Sequence, residues 1–244
     1  MGKELLGGIE LNRIYQRDVL EGLKMIPSDS IDLIVADPPY FKVKKEDWDN
    51  QWETVEDFKV WINSIFDEFY RVLKNNGSLY VWGQPSITSH FKILLEEKFN
   101  FNNWIIWEKE FGRRGHSKFA QLHEDLLWVS KGKKPTFNWQ EVSEPATRAG
   151  AKEGDTRVLS DIWKAHKWNN VCKERVGHPT QKPLQFCERI IKASSNVNDV
   201  VLIPFVGSGS ECVSAKQLNR KFIGFELETD YIEIANKRLD SIED

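Results

Sequence analysis

Two hydrophobic rhythms alternate along most of the chain. "RIYQRD" (13–18) reads as a short strand ending in Asp18, and "VLEGLKMIP" as one or two helical turns closed by Pro27. "SIDLIVAD" (30–37) has a continuous apolar centre, the pattern of a strand covered on both faces of a parallel sheet. After the charged, irregular "FKVKKEDWDNQW", Thr54 stands where a helix cap belongs. Phe58, Trp61, Ile62, Ile65, Phe69, Val72 and Leu73 then recur at helical spacing, and Gly77 is expected to end that helix. "SLYVWG" (78–83) predicts a strand, residues 86–98 a helix, and "NWIIWEK" a further strand. Strand and helix in alternation define an α/β protein.

From about residue 108 to 175 the alternation dissolves. "FGRRGHSKFAQLHEDLLWVSKGKKPTFN" contains one apolar run, Leu126 to Val129, between basic loops. "EVSEPATRAGAKEGDTR" reads as loop, short of the apolar residues that would order it. Regular structure returns with "PLQFCERIIKASS", a helix with Pro183 at its start. It continues as strand "DVVLIP", turn "FVGSGS", helix "ECVSAKQLN", strand "KFIGFELE" and helix "DYIEIANKRL". No internal repeat is visible.

Composition narrows the class. With 244 residues, 40% hydrophobic and 29% charged, the chain suits one sizeable domain, or one domain carrying an insertion. No run approaches the roughly 20 apolar residues of a membrane span, and "MGKELLGGIELNR" is too polar for a signal peptide. Leu6 stands where a myristoylated N-terminus needs Ser or Thr. Cys172, Cys187 and Cys212 are odd in number and widely spaced, which suits a reducing compartment and gives neither a metal site nor a disulfide framework. A cytoplasmic location is expected. The net charge of -3 is unevenly spread: residues 108–175 hold 14 Lys and Arg against 10 Asp and Glu, the remainder 20 against 27. A basic middle within an acidic chain is compatible with one nucleic-acid face, although solvated charge gives the same count.

Two turns carry candidate chemistry. Phe205-Val206-Gly207-Ser208-Gly209-Ser210 lies between a strand and a helix, where glycines admit close backbone approach and free N–H groups favour an anion. Glu226, at the end of the next strand, is placed to accept hydrogen bonds from both hydroxyls of a ribose. The loop is too short for a dinucleotide fingerprint and lacks the Lys of a P-loop, so a nucleoside with a small charged tail fits it better. Asp37-Pro38-Pro39-Tyr40 follows the 30–37 strand. Its prolines fix the backbone and remove two donors, leaving acceptors and an aromatic plane, a set that suits the exocyclic amino group of a flat base. A tight turn with a surface glutamate, and an ordinary loop start, would show the same letters.

Taken together, DPPY after a strand and F-x-G-x-G elsewhere resemble the amino-group DNA methyltransferases, the N6-adenine and N4-cytosine enzymes that use S-adenosyl-L-methionine. Catalytic motif first and cofactor loop last is similar to the family's β class. The resemblance implies a Rossmann-like methyltransferase fold, circularly permuted, with a mixed, mostly parallel sheet and helices on both faces. It implies a single catalytic domain over 1–244, with about 108–175 inserted for target recognition. Asp18, ending the strand before Asp37, corresponds to the acid for the cofactor's adenine. "HPTQKP" (178–183) is similar to the segment at the methionine end, which carries over Thr180 and Lys182. The implied cofactor-binding set is therefore Asp18, Asp37, Thr180, Lys182, Phe205, Gly207, Ser208, Gly209, Ser210 and Glu226. The catalytic set is Asp37, Pro38, Pro39 and Tyr40, with no metal. One departure is Ile203 in place of the family's usual acid before Pro-Phe.

The implied reaction is site-specific transfer of a methyl group to adenine N6, with Asp37 and the Pro38 carbonyl holding the amino group and Tyr40 stacking on the flipped base. N4-cytosine is the alternative substrate, and a non-catalytic DNA-binding relative is the alternative of another class, motivated by Ile203. Arg113, Arg114, Lys118, Lys131, Lys133 and Lys134 are candidate contacts to double-stranded DNA. His116, His123 and His178 read as structural or DNA-facing. The resemblance also admits a homodimer and a cognate restriction endonuclease as partners.

Overall fold

A computed structural model describes residues 4–41, 51–109, 117, 119–147, 149–165, 174–176 and 180–242. A two-residue ribbon, β1 (Leu5–Leu6) and β2 (Ile9–Glu10), precedes β3 (Arg13–Gln16), α1 (Val19–Leu23) and β4 (Ile31–Ala36). Next come α2 (Val55–Val72), β5 (Leu73–Gly83), α3 (Thr88–Glu96), β6 (Asn100–Glu108) and β7 (His123–Ser130). A short 3-10 turn (Trp139–Val142) leads to β8 (Ser143–Pro145), β9 (Thr156–Val158) and β10 (Ile162–Lys164). The chain finishes with α4 (Leu184–Ser194), β11 (Val200–Ile203), α5 (Ser210–Gln217), β12 (Lys221–Glu226) and α6 (Thr229–Asp240).

Eight strands form one sheet in the order β10-β6-β7-β5-β4-β11-β12-β3. β3, β12, β11, β4 and β5 are mutually parallel, whereas β7 runs antiparallel between β5 and β6. Alternate side chains of each inner strand enter opposite layers. From β4, Ile34 and Ala36 pack with Leu23 of α1, Phe58, Phe66 and Phe69 of α2 and Phe91 of α3. Leu33 and Val35 pack on the other face with Phe186 and Ile190 of α4, Val213 of α5 and Leu239 of α6. A parallel sheet covered twice explains why its strands read as unbroken apolar runs. The polar exception in β4, Asp32, is matched by Lys74 Nζ at 2.8 Å and the Val200 amide at 3.0 Å.

Three expectations change. α2 stops at Val72 rather than at Gly77, because Leu73 already has extended geometry and pairs with Ile31. Gly77 instead sits in a register irregularity, where a Cβ would lie 2.9 Å from the Asp32 carbonyl oxygen. Residues 108–175 also contain more regular structure than their letters suggest. β7 lies inside the main sheet, β10 extends its edge, and β8 and β9 pair antiparallel within the polar stretch. Asp18 lies two residues past the end of β3 and N-caps α1, accepting from the Leu20 and Glu21 amides.

Thr54 starts α2 with a reciprocal capping box: its hydroxyl accepts from the Asp57 amide while the Asp57 carboxylate accepts from the Thr54 amide. Thr54→Ala should cost about 1 kcal/mol of unfolding free energy in a denaturant titration, with the m-value unchanged.

Candidate active site

Carboxyl ends of parallel strands share one edge of a sheet, and the crevice outside them is where α/β folds bind ligands. Here β4, β11, β12 and β3 are consecutive neighbours, and their ends deliver the Asp37 turn, the glycine loop, Glu226 and Asp18 to that edge. A cavity of about 140 Å3 opens among them. Asp18, Asp37, Pro38, Pro39, Tyr40, Thr180, Lys182, Phe205, Gly207, Ser208 and Glu226 all border it. Gly209 and Ser210 stand behind its wall. Gly209 has φ +79°, and a Cβ there would lie 2.7 Å from the Ala235 Cβ, so the residue is held as glycine by backbone conformation and by helix contact. Ser210 is buried and accepts from Arg238 at 3.2 Å.

At one end of the cavity stand two acids, Asp18 and Glu226. Both cap bonds of Asp18 fall on Oδ1, at 2.9 and 3.2 Å, which leaves Oδ2 for a ligand. Glu226 Oε2 accepts from the Gly207 amide at 2.8 Å, and Oε1 from the Leu227 and Glu228 amides. Burial pushes the Glu226 carboxyl upward while those three amides pull it down, with a net rise. Phe205 and Trp61, with ring centres 6.2 Å apart, and Phe225 supply an apolar wall.

At the other end lies a buried charged cluster. Lys182, with 2% of its side chain exposed, reaches Asp37 Oδ2 at 2.8 Å, the Tyr40 hydroxyl at 3.0 Å and Glu124 Oε2 at 3.5 Å. The Tyr40 hydroxyl donates to Asp37 Oδ1, and Lys109 pairs with Glu124 Oε1. Burial alone would lower the Lys182 ammonium, yet Asp37 and Glu124 override it and hold it above its ordinary value. Burial likewise pushes the Glu124 carboxyl up, and Lys182 with Lys109 brings it below the usual carboxylate range. The Asp37 carboxyl is raised because burial outweighs the pull of Lys182 and Tyr40. Lys182 thus has its donors engaged by protein and orients Asp37. Tyr40 is 2% exposed and borders the cavity with its hydroxyl held by Asp37 and Lys182.

Glu124, Lys109 and Glu211 escaped sequence reasoning. Glu124 is the second residue of β7, and an antiparallel strand brings its beginning to the edge where parallel strands end. Lys109 follows the end of β6 at that same edge. Glu211, in the first turn of α5, borders the cavity at 5% exposure. An acid immediately after the glycine loop was the available signal. The same strand direction moves other candidates away. Lys131 lies just past the far end of β7, paired with Asp29 at 2.6 Å and bonded to the Leu73 carbonyl, and Lys133 and Lys134 follow it. These three sit at the sheet edge opposite the cavity, not with Asp37. Arg113, Arg114, Lys118, His116 and His178 lie outside the described residues. Among the described residues no group of three or more His, Cys, Asp or Glu is placed to hold a metal, and no helix is long and apolar enough to cross a membrane.

Sheet order and cavity together define the class: a Rossmann-like methyltransferase fold, circularly permuted. The family model for N6/N4 DNA methylases matches residues 31–237. The chain is 33% identical over 265 residues to Type II methyltransferase M1.MboII of Moraxella bovis, covering 96% of this chain and 99% of that one. It is 32% identical to the DNA adenine methyltransferase YhdJ of Escherichia coli K12, over 96% of this chain and 84% of the relative. Among solved structures, the M1.HpyAVI–SAM complex superposes with a TM-score of 0.69 at 28% identity, covering 93% of this chain and 98% of that one. The cytosine-N4-specific PvuII DNA methyltransferase gives 0.76 at 20% identity, over 94% and 87%, and shares the fold. The chain belongs to the N6/N4 DNA methylase family.

Burial raises the Glu211 carboxyl from an ordinary 4.5 to about 7, with nearby Asp37 adding to it. An acid whose folded value is raised stabilises fully below its unfolded value, and that contribution is lost as pH rises through the folded one. In the ligand-free protein, Glu211→Gln should therefore match wild type at pH 4–5 and exceed its melting temperature at pH 8. A melting difference that does not change with pH would refute this.

Proposed function

We propose that the protein transfers the methyl group of S-adenosyl-L-methionine to the exocyclic N6 amino group of adenine at a specific site in double-stranded DNA. The observation that carries this reading is the convergence of an acceptor-only Asp37–Pro38 turn with a glycine loop and two nucleoside-facing acids on one cavity. When bound, S-adenosyl-L-methionine supplies an electrophilic methyl group on a sulfonium. Glu226 would hold the ribose hydroxyls and Asp18 the adenine amino group, with Trp61, Phe205 and Phe225 as the wall beside the ring.

The chain's own groups do the rest. Adenine N6 is a weak nucleophile because its lone pair is delocalised into the ring. Asp37 and the Pro38 carbonyl each accept one N–H, which localises the lone pair and aims it at the methyl group. As the nitrogen becomes cationic, Asp37, oriented by Lys182 and Tyr40, stabilises the charge and takes the proton. Extruding the base costs a few kcal/mol, offset in part by contact with the aromatic turn.

Adenine is preferred over cytosine because YhdJ, named for adenine, is similar along nearly the whole chain. Target recognition is assigned to about 108–175. Lys109 and Leu122, which bracket Arg113, Arg114 and Lys118, are hydrogen-bonded to each other at the catalytic edge, at 2.8 Å. The Type II names of M1.MboII and other relatives support a cognate restriction endonuclease as functional partner, in the cytoplasm.

Digestion of DNA treated with the protein and S-adenosyl-L-methionine should yield N6-methyladenine, whereas N4-methylcytosine alone would overturn the substrate assignment. Asp37→Asn should lower kcat on the order of a hundredfold or more and shift the cofactor Kd less than about tenfold. Near-normal turnover in that variant would exclude the mechanism.

A further inference from the structure

Glu211 is a buried acid that the proposed chemistry leaves unused. Its Oε1 meets no donor among the described residues, and the side chain borders the cavity beside the charged cluster. Groups from every packed element face it: Asp37 and Tyr40 after β4, Lys182 before α4, Cys187 on α4, Cys212 on its own helix and Arg238 on α6. None forms an ion pair with it among the described residues. Lys182 is committed to Asp37, Tyr40 and Glu124, and Lys109 to Glu124. Arg238 donates to the Ser208 carbonyl at 2.6 Å and to the Ser210 hydroxyl, and forms no ion pair with Glu211. The Cys187 thiol offers one weak hydrogen bond. Two lysines are matched by Asp37 and Glu124, and Arg238 acts on Glu211 only at a distance, so the third carboxylate has no cation in contact with it.

A buried carboxylate in that position is costly unless something fills it. Ile203, at the end of β11, is sealed in the apolar layer and offers no charge, so Glu211 is the sole acid between β11 and the second residue of α5. We propose that Glu211, through its unpartnered Oε1, receives the α-ammonium group of the methionine tail of S-adenosyl-L-methionine. This rests on the methyl-transfer reading. The tail's carboxylate is the poorer occupant, since it would bring a further negative group against the Glu211 carboxylate. A cation there favours the ionised carboxyl, so a proton that Glu211 holds near neutral pH leaves as the ligand binds.

Calorimetry on the full chain tests this with S-adenosylhomocysteine, which has the amino-acid tail, and 5′-methylthioadenosine, which lacks it. Glu211→Gln should weaken S-adenosylhomocysteine about ten- to a hundredfold and leave methylthioadenosine within about twofold. In buffers of contrasting ionisation enthalpy at pH 6.5, wild type should release a substantial fraction of a proton with S-adenosylhomocysteine, and Glu211→Gln none. Equal weakening of both ligands would mark loop damage and overturn the assignment, as would unchanged affinity. Proton uptake, or none, in wild type would do the same, because Glu211 would then be a neutral donor. Wild type that binds neither ligand would overturn the methyl-transfer reading as well.

Discussion

The buried ammonium of Lys182 is the interaction on which the site depends. A cation with 2% of its side chain exposed is tolerable only if carboxylates reach it, and they arrive from separate parts of the chain. Asp37 comes from the end of β4, Glu124 from the start of β7, and Lys182 itself from the approach to α4. Bringing them together requires β7 to run against its neighbours and α4 to begin at the same edge. Such a cluster is weak evidence for added stability, because desolvation offsets its attraction. Its effect is positional: each oxygen of Asp37 is held by a named donor before any substrate arrives.

Chain order matters little to that assembly. β3, near the N-terminus, pairs with β12, near the C-terminus, and β4 pairs with β11. The glycine loop and Glu226 thus come late in the sequence yet lie between Asp37 and Asp18 in space. Strand neighbours and strand direction decide what faces the cavity, and a permuted chain satisfies both.

This also explains what could be read from letters. Asp18, Asp37, the glycine loop and Glu226 were legible because each follows a parallel strand, where an apolar run ending in an acid or a glycine turn marks the ligand edge. Strand polarity has no local code. "HEDLLWVS" announces a strand but not its direction, so its letters do not tell that Glu124 reaches the cavity while Lys131, a candidate DNA contact with Lys133 and Lys134, lies past the opposite end. Gly77 shows the same limit: a glycine after a helix can mark its end or a close backbone approach, and the Asp32 carbonyl makes it the latter. The β8–β9 pair and β10 were hidden because edge and hairpin strands bury little, as at exposed Val158 and Ile162.

Glu226 shows how far preorganisation extends beyond the charged cluster. Its carboxylate accepts from Gly207 as well as from Leu227 and Glu228, so the acid assigned to the ribose also ties the glycine loop to the end of β12. With about four lone-pair directions on a carboxylate, three are taken before a ligand enters. On the proposed reading, ribose hydroxyls would use the remaining direction or share an oxygen with an amide. Loop geometry and the proposed nucleoside affinity would therefore be coupled through one side chain. Removing it would loosen the Gly207 amide at the same time as the sugar, which is why a cofactor defect at Glu226 cannot be divided into a ribose part and a loop part by a single substitution.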